Sequence, residues 1–280
     1  MKILTAQQIR EADAHTIQHE PVSSIDLMER AANELCHWIT NTFSPKTRIA
    51  CCCGPGNNGG DGLALSRLLH DRQYMADVYI VSSEGKGSDD FEINKTRLKE
   101  SGIATHAING ESDVPEWDEY DVVVDALFGS GLSRPVTGLF GSVIAAMNAS
   151  DATVLAIDIP SGVYADESSP GEFIVRADHT LSFQLPKQAF LLPENADYIG
   201  NWELLDIGLS QEFIRRAKTN RFLLTTEMAG TILRRREKFA HKGNFGRGMI
   251  ISGSHGKMGA AVLCGRAAMR SGLGLLTINR

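Results

Sequence analysis

The chain has 280 residues, of which 42% are hydrophobic and 22% charged. That is close to a globular average, which excludes disorder, collagen and coiled coil. No apolar run approaches the roughly 18 residues a membrane helix needs, and the opening MKILTAQQIREADAHT turns polar too soon for a signal peptide. The net charge of −6 hides an asymmetry: residues 221–280 hold 11 Lys and Arg against 2 Asp and Glu, leaving 17 against 32 before them. Such a split marks a boundary. The basic segment reads as part of a second domain rather than a nucleic-acid surface, with Arg234–Arg236 as a solvated helix face.

Thr5 and Gln8 form a capping-box pattern at the start of a first helix, in which Ile9, Ala12 and Thr16/Ile17 keep near-helical spacing. A second helix runs over Ser24–Thr40, with a wide apolar stripe from Ile25 to Trp38. These two stripes must cover the sheet or a second copy of the protein. Alternation follows: strand Arg48–Cys53, helix Asp61–Asp71, strand Asp77–Val81, helix Asp89–Ser101, strand Asp121–Asp125, helix Leu139–Ala149 and strand Thr153–Ile157. Alternating strands and helices imply βαβ units and a parallel sheet covered on both faces. After Ser161 come short strands at His179–Phe183 and Asn201–Leu205. A second unit begins near Arg221, with a linker and helix, strand GRGMIISGS, helix GAAVLCGRAAMRSG and strand LGLLTIN. Sixty residues rarely bury enough surface to be stable alone, so this unit is expected to be incomplete.

Cysteines occupy positions 36, 51, 52, 53 and 264. Side chains alternate faces along a strand, so the triplet is a poor disulfide framework and a poor zinc set. All five are expected to be buried and reduced, in keeping with a cytoplasmic compartment.

Three segments carry chemistry. In CGPGNNGGDG, residues 53–62, Gly54, Gly56 and Gly59 satisfy G-x-G-x-x-G, which in Rossmann folds lets a pyrophosphate approach a helix N-terminus. Pro55, Asn57, Asn58 and Asp61 depart from ordinary NAD-binding loops, and the second strand lacks an acidic end for a ribose, since Glu84 lies beyond it. In DALFGSGLSRP, residues 125–135, Asp125 ends a strand and Arg134 can grip a phosphate. In AIDIPSG, residues 156–162, Asp158 ends the next strand and Ser161 follows Ile-Pro. All three loops fall at the carboxyl edge of the sheet, where open α/β folds bind ligands. Asn58, Asp125 and Ser161 offer oxygen donors of low total charge, which suits a monovalent cation better than calcium or zinc.

GPGNNGGDG, DALFGSG and AIDIPSG, in this order and spacing, resemble the NAD(P)H-hydrate epimerase family, also called the YjeF N-terminal domain. LMERAA at 27–32, ADHTLSF at 177–183, Lys187 and DIGL at 206–209 are similar to it as well. The resemblance covers roughly residues 1–215. It implies a Rossmann-like three-layer α/β/α fold with a mostly parallel central sheet behind two N-terminal helices. It implies interconversion of the R and S hydrates of NADH and NADPH, a potassium ion and a homodimer. Carried over by position, Asn57, Asn58, Gly59, Gly60, Asp61, Gly129, Ser130, Gly131, Leu132, Ser133, Arg134, Pro135 and Asp158 would hold the substrate. Asn58, Asp125 and Ser161 would ligate potassium. Residues 226–280, after a linker at 216–225, resemble the opening of a ribokinase-like dehydratase domain. The later dehydratase motifs would lie beyond Arg280, so no dehydratase activity is expected. GSHGKMG is no Walker loop, since Ile251 stands where its first Gly should be.

Epimerisation at C6 of the ring requires the C–O bond to break and re-form on the other face. Asp158 is the candidate acid and base, and a neutral carboxyl there would need a raised pKa, for which Asp125 could supply repulsion. The rival readings are an NAD-dependent oxidoreductase and a non-enzymatic nucleotide-binding scaffold. The first lacks a positioned His or Tyr near the motifs, and the second is disfavoured by intact Asp158, Asn58 and Asp125. No nucleic-acid or membrane partner is expected.

Overall fold

The structure, a computed structural model, describes residues 1–82, 85–232 and 235–279. Glu84, Arg234 and Arg280 lie outside the described residues. The chain divides into two compact units, Met1–Leu223 and Leu224–Arg280. Among the described residues no helix is long and apolar enough to cross a membrane.

The larger unit runs α1 (Ala6–His19), α2 (Ser24–Thr42), β1 (Arg48–Cys53), α3 (Asn57–Asp71), β2 (Met75–Val81), α4 (Asp89–Glu100) and β3 (Thr105–Ile108). It continues with β4 (Val122–Ala126), α5 (Gly138–Ala149), β5 (Thr153–Ile157), β6 (His179–Phe183), α6 (Ala196–Ile199), β7 (Asn201–Leu205) and α7 (Gln211–Arg216). The seven strands form one sheet in the order β3-β2-β1-β4-β5-β6-β7, with every adjacent pair parallel. The chain winds outward from β1 to β3, returns to β4 beside β1, and winds outward again to β7. The strand order therefore reverses between β1 and β4, the position at which such sheets open a binding crevice.

The cysteine triplet shows why β1 is central. Cys51 and Cys53 pack into the core beneath α2, α3 and α4, and Cys52 packs into the core beneath α5. A strand covered on both faces needs apolar side chains in both directions. Burial pushes the Cys51 thiol up to about 12 and the other two well above their usual range. Cys36 is buried too, but Cys264 is exposed, against the expectation that all five would be covered. It sits on an outward face of a helix in the smaller unit.

Both N-terminal helices form as their caps dictate. Thr5–Gln8 and Ser23–Asp26 each make a reciprocal capping box. Their apolar stripes are buried within their own unit. Leu35 and Ile39 of α2 join the main core, and Ala12, Leu27 and Ala31 meet Ile207 and Leu209 after β7. The chain start is tied down as well. The Ile3 N–H donates to the Arg221 carbonyl, and the Lys2 ammonium donates to the carbonyls of Ile214, Arg215 and Ala217 at the end of α7.

The short helices α6 and α7 carry no sequence signal, and two further elements differ from the periodicity. β3 was not anticipated, because Thr105–Ile108 is a short edge strand with three exposed residues and no apolar run. α3 begins at Asn57 rather than Asp61, so the Asn-Asn-Gly-Gly segment is the first turn of a helix and not a loop. Glycine's poor helix propensity hides this turn from a sequence reading. Packing overrides the propensity. A Cβ on Gly59 would come 1.7 Å from the Gly54 carbonyl oxygen, and one on Gly54 would come 2.1 Å from the Leu127 carbonyl oxygen.

The smaller unit contains α8 (Thr226–Ile232), β8 (Arg247–Ile251), α9 (Gly259–Arg270) and β9 (Leu275–Asn279), with β8 and β9 paired in parallel. Arg236 is not on a helix face. Its guanidinium donates to the Gly272 carbonyl at 2.7 Å and lies 4.2 Å from the centre of the Phe245 ring.

Gly59→Ala places a methyl group against backbone that cannot move aside, and should destabilise the larger unit by about 3 kcal/mol or more. Gly56→Ala has nothing within 4 Å of the added carbon and should cost at most about 1 kcal/mol, the N-cap difference between Gly and Ala. Urea unfolding of the two variants beside wild type checks both values.

Candidate active site

A cavity of about 550 Å³ opens at the strand-order reversal. Its floor is the carboxyl edge of β1, β4 and β5, and α1 and α2 form its far wall. Asn57, Asn58 and Asp61 line it from α3. Gly129, Ser130, Gly131, Leu132, Ser133 and Arg134 line it from the loop after β4, and Asp158 from the end of β5. Gly59 and Gly60 do not line it. They are buried in the first turn of α3, Gly59 against the Gly54 backbone and Gly60 against Met28 of α2 and Phe91 of α4. Pro135 lines a neighbouring cavity of about 600 Å³, which shares Gly56, Phe128, Leu132 and Arg134 with the first and adds Lys86.

The first intrahelical bond of α3 runs from the Gly60 N–H to the Gly56 carbonyl. The N–H groups of Asn57, Asn58 and Gly59 therefore have no helical acceptor, and with the helix dipole they favour an anion at this end of the cavity. Arg134 is exposed here and makes no ion pair among the described residues. Arg10 of α1 reaches across to Gly131.

Asp158 sits at φ +67°, one of two non-glycine residues in the left-handed region among the described residues. This conformation costs of order 1 kcal/mol and persists only where surroundings enforce it. The Asp158 N–H donates to the Leu181 carbonyl at 2.7 Å. One carboxylate oxygen accepts from the Ser130 N–H at 3.3 Å, and the other takes the Lys187 ammonium. Lys187 is 1% exposed, and its remaining protons go to Ser182 Oγ at 2.5 Å and the Phe183 carbonyl at 3.0 Å. The charged group in contact with Asp158 is thus the Lys187 ammonium rather than Asp125. The family resemblance alone points to Lys187. Nothing in its local sequence, LPKQAF, shows that it folds back onto a strand end.

Asp125 lies beneath the cavity, fully buried. It accepts from the Ser161 N–H at 2.7 Å, from Ser161 Oγ at 2.6 Å and from the Leu127 N–H at 3.2 Å. Burial pushes its carboxyl up to about 6, against the lowering effect of the Ser161 and Leu127 bonds. Ser161 Oγ also accepts from the Phe128 N–H at 2.8 Å. Asn58 Oδ1 lies 3.3 Å from where a Cβ on Gly129 would sit, and its buried Nδ2 has no partner. Asn58, Gly129, Phe128, Ser161 and Asp125 thus form a contiguous oxygen-lined patch with a single carboxylate.

Two further acids were not foreseen as reactive groups. Asp13 of α1 lines the cavity, and its carboxyl is pushed up to about 6, chiefly by burial and then by the Asp158 charge, with Lys187 opposing. Asp61 had been assigned to substrate binding. Burial, followed by Asp158, Asp13 and Asp90, raises its carboxyl well above the usual range. Neither makes a hydrogen bond or ion pair among the described residues. Asp13 escapes a sequence reading because a helix carries many such acids on its solvated face.

Known proteins resemble this chain over all or most of its length. It is 32% identical over 278 residues to a Thermofilum pendens protein named bifunctional NAD(P)H-hydrate repair enzyme Nnr, covering 98% of this chain and 52% of that protein. The chain thus spans about half the length of curated relatives of this kind. It is 33% identical over 215 residues to a Rhodopirellula baltica protein named NAD(P)H-hydrate epimerase, covering 76% of this chain and 87% of that one. The crystal structure of yeast ynu0, YNL200c, matches with a TM-score of 0.61 at 18% identity, over 81% of this chain and 98% of that chain, which is a likeness of fold. The family described as YjeF-related protein N-terminus matches residues 24–189, more than half of the chain, and the chain belongs to that family.

Proposed function

We propose that residues 1–215 epimerise the C6 hydroxyl of hydrated NADH and NADPH, interconverting the R and S forms for cofactor repair. The observation that carries this reading is a single cavity lined by both kinds of group. The N-terminal turn of α3, Arg10 and Arg134 line it and fit a diphosphate. Asp158 on its lysine, Asp13 and Asp61 line it too and fit proton transfer at a ring that becomes cationic when hydroxide leaves. Relatives named for the same reaction support it.

Asp158 is the proposed base, with Lys187 fixing its orientation. The N-terminal turn of α3 and the Gly129–Pro135 segment would hold the dinucleotide, with Arg134 at the junction of the two cavities. Asn58, Asp125 and Ser161 would hold a potassium ion. Their donor set fits: Asn58 Oδ1, Ser161 Oγ and one carboxylate, all on buried residues. The ion would supply fixed positive charge under the loops and the diphosphate. The homodimer rests on the family resemblance, because the stripes of α1 and α2 are satisfied within one chain. The cytoplasmic assignment draws support from buried, unpaired thiols. Residues 226–280 are assigned to the opening of a dehydratase domain.

Chromatography of R- and S-NADHX should show interconversion by this chain with potassium, falling at least tenfold when lithium replaces it. Absence of interconversion in both salts overturns the reading. Asp158→Asn should lower the rate by at least about 100-fold while NADP⁺ still binds. Lys187→Met strands a charge at the cavity base and should cost about 3–5 kcal/mol in urea unfolding at pH 7, most of it recovered in the Asp158→Asn/Lys187→Met double variant.

A further inference from the structure

Four carboxylates line the main cavity: Asp13 from α1, Asp61 from α3, Asp90 from α4 and Asp158 from the end of β5. Two have partners. Asp158 has Lys187, and Asp90 accepts from Ser24 Oγ at 2.6 Å. Asp13 and Asp61 have none among the described residues, although both are half-buried. Carboxyls withdrawn from water without a partner are costly, and where they persist in a cleft they mark working groups. The buried, unpartnered Nδ2 of Asn58, which lines the same cavity, is a second sign that a polar ligand completes the site.

The two unpartnered acids are not equivalent. Burial and then the acidic neighbours Asp158, Asp13 and Asp90 all raise the Asp61 carboxyl, with no cation to oppose them. Asp13 feels both Asp158 and Lys187 and titrates near 6, where it can give and take a proton at neutral pH. The charged groups around it are Arg10 on its own helix, Asp61, Asp90, Arg134, and Asp158 with Lys187.

We infer that Asp13 is a second proton-transfer group of the epimerase site, acting from the α1 wall while Asp158 acts from the strand edge. The inference rests on the epimerase reading. In one direction Asp13 gives its proton to the C6 hydroxyl. The C6–O bond breaks, its electron pair leaves with the oxygen as water, and the N1 lone pair forms the C6=N1 iminium. A second water adds to C6 on the other face, N1 regains its lone pair, and the surplus proton of that water passes to Asp158. One water leaves and one enters. A single proton has moved from Asp13 to Asp158, and it returns through solvent. In the opposite direction the two acids exchange roles, as microscopic reversibility requires.

The test compares wild type, Asp13→Asn and Asp13→Glu in R/S-NADHX interconversion between pH 5 and 9, with NADP⁺ binding measured alongside. The acid form of Asp13 is depleted as pH rises through about 6, so the wild-type kcat should fall with rising pH along that limb. Asp13→Asn should lose at least 100-fold in kcat with KM changed less than threefold. It should lose the limb and keep its NADP⁺ affinity, and Asp13→Glu should restore the limb. An Asp13→Asn enzyme within threefold of wild type, or one that keeps the limb, overturns the inference alone. So does loss of NADP⁺ binding together with activity, which marks a structural role. A wild-type chain that does not epimerise overturns the inference and the functional reading together.

Discussion

The α-carbon of Gly59 rests against the carbonyl of Gly54, and that backbone contact governs the placement of every other group in the site. It lets α3 start four residues after β1 ends, directly over the reversal of strand order. Gly54 is in turn pressed against Leu127, which fixes the exit of the loop after β4. With both loops set by backbone rather than by side chains, the helix N–H groups, Asn58 and the Gly129–Arg134 segment converge without spending side-chain volume on the hinge. The cavity is the space left when two main chains come closer than any Cβ allows.

Within that frame the chemistry depends on an imbalance of charge. One buried ammonium stands against several carboxyls, and it contacts only one of them. Burial and the neighbouring carboxylates push Asp61 and Asp13 upward, and for Asp13 the lysine opposes that rise.

Much of the architecture could be read from sequence because parallel strands and their helices carry strong local signals. VVVDA and VLAID are apolar on both faces, and Thr5–Gln8 states its own cap. β3 could not be read, since an edge strand needs no apolar run. The start of α3 could not be read either, since its residues are poor helix formers that packing holds in place. At the site, the strand-end acids Asp125 and Asp158 and the loop glycines were legible from their position after strands. Lys187 and Asp13 were not. Lys187 acts through a contact between residues 29 positions apart, and Asp13 differs from any surface acid only in what α1 covers. Interactions set by topology between distant segments leave no periodic trace.

The tie between the first and last segments of the larger unit bears on how such a protein acquires new parts. The Met1 ammonium donates to the Leu223 carbonyl at 2.7 Å, and the Leu223 N–H returns a bond to the Met1 carbonyl. A fold whose ends are clasped together presents one attachment point on the surface instead of two. Extra chain can be joined there by simple extension, without cutting any strand of the sheet or any loop around the cavity. Modular growth at residue 223 is therefore nearly free of folding cost to the larger unit, and shorter and longer relatives can share one fold.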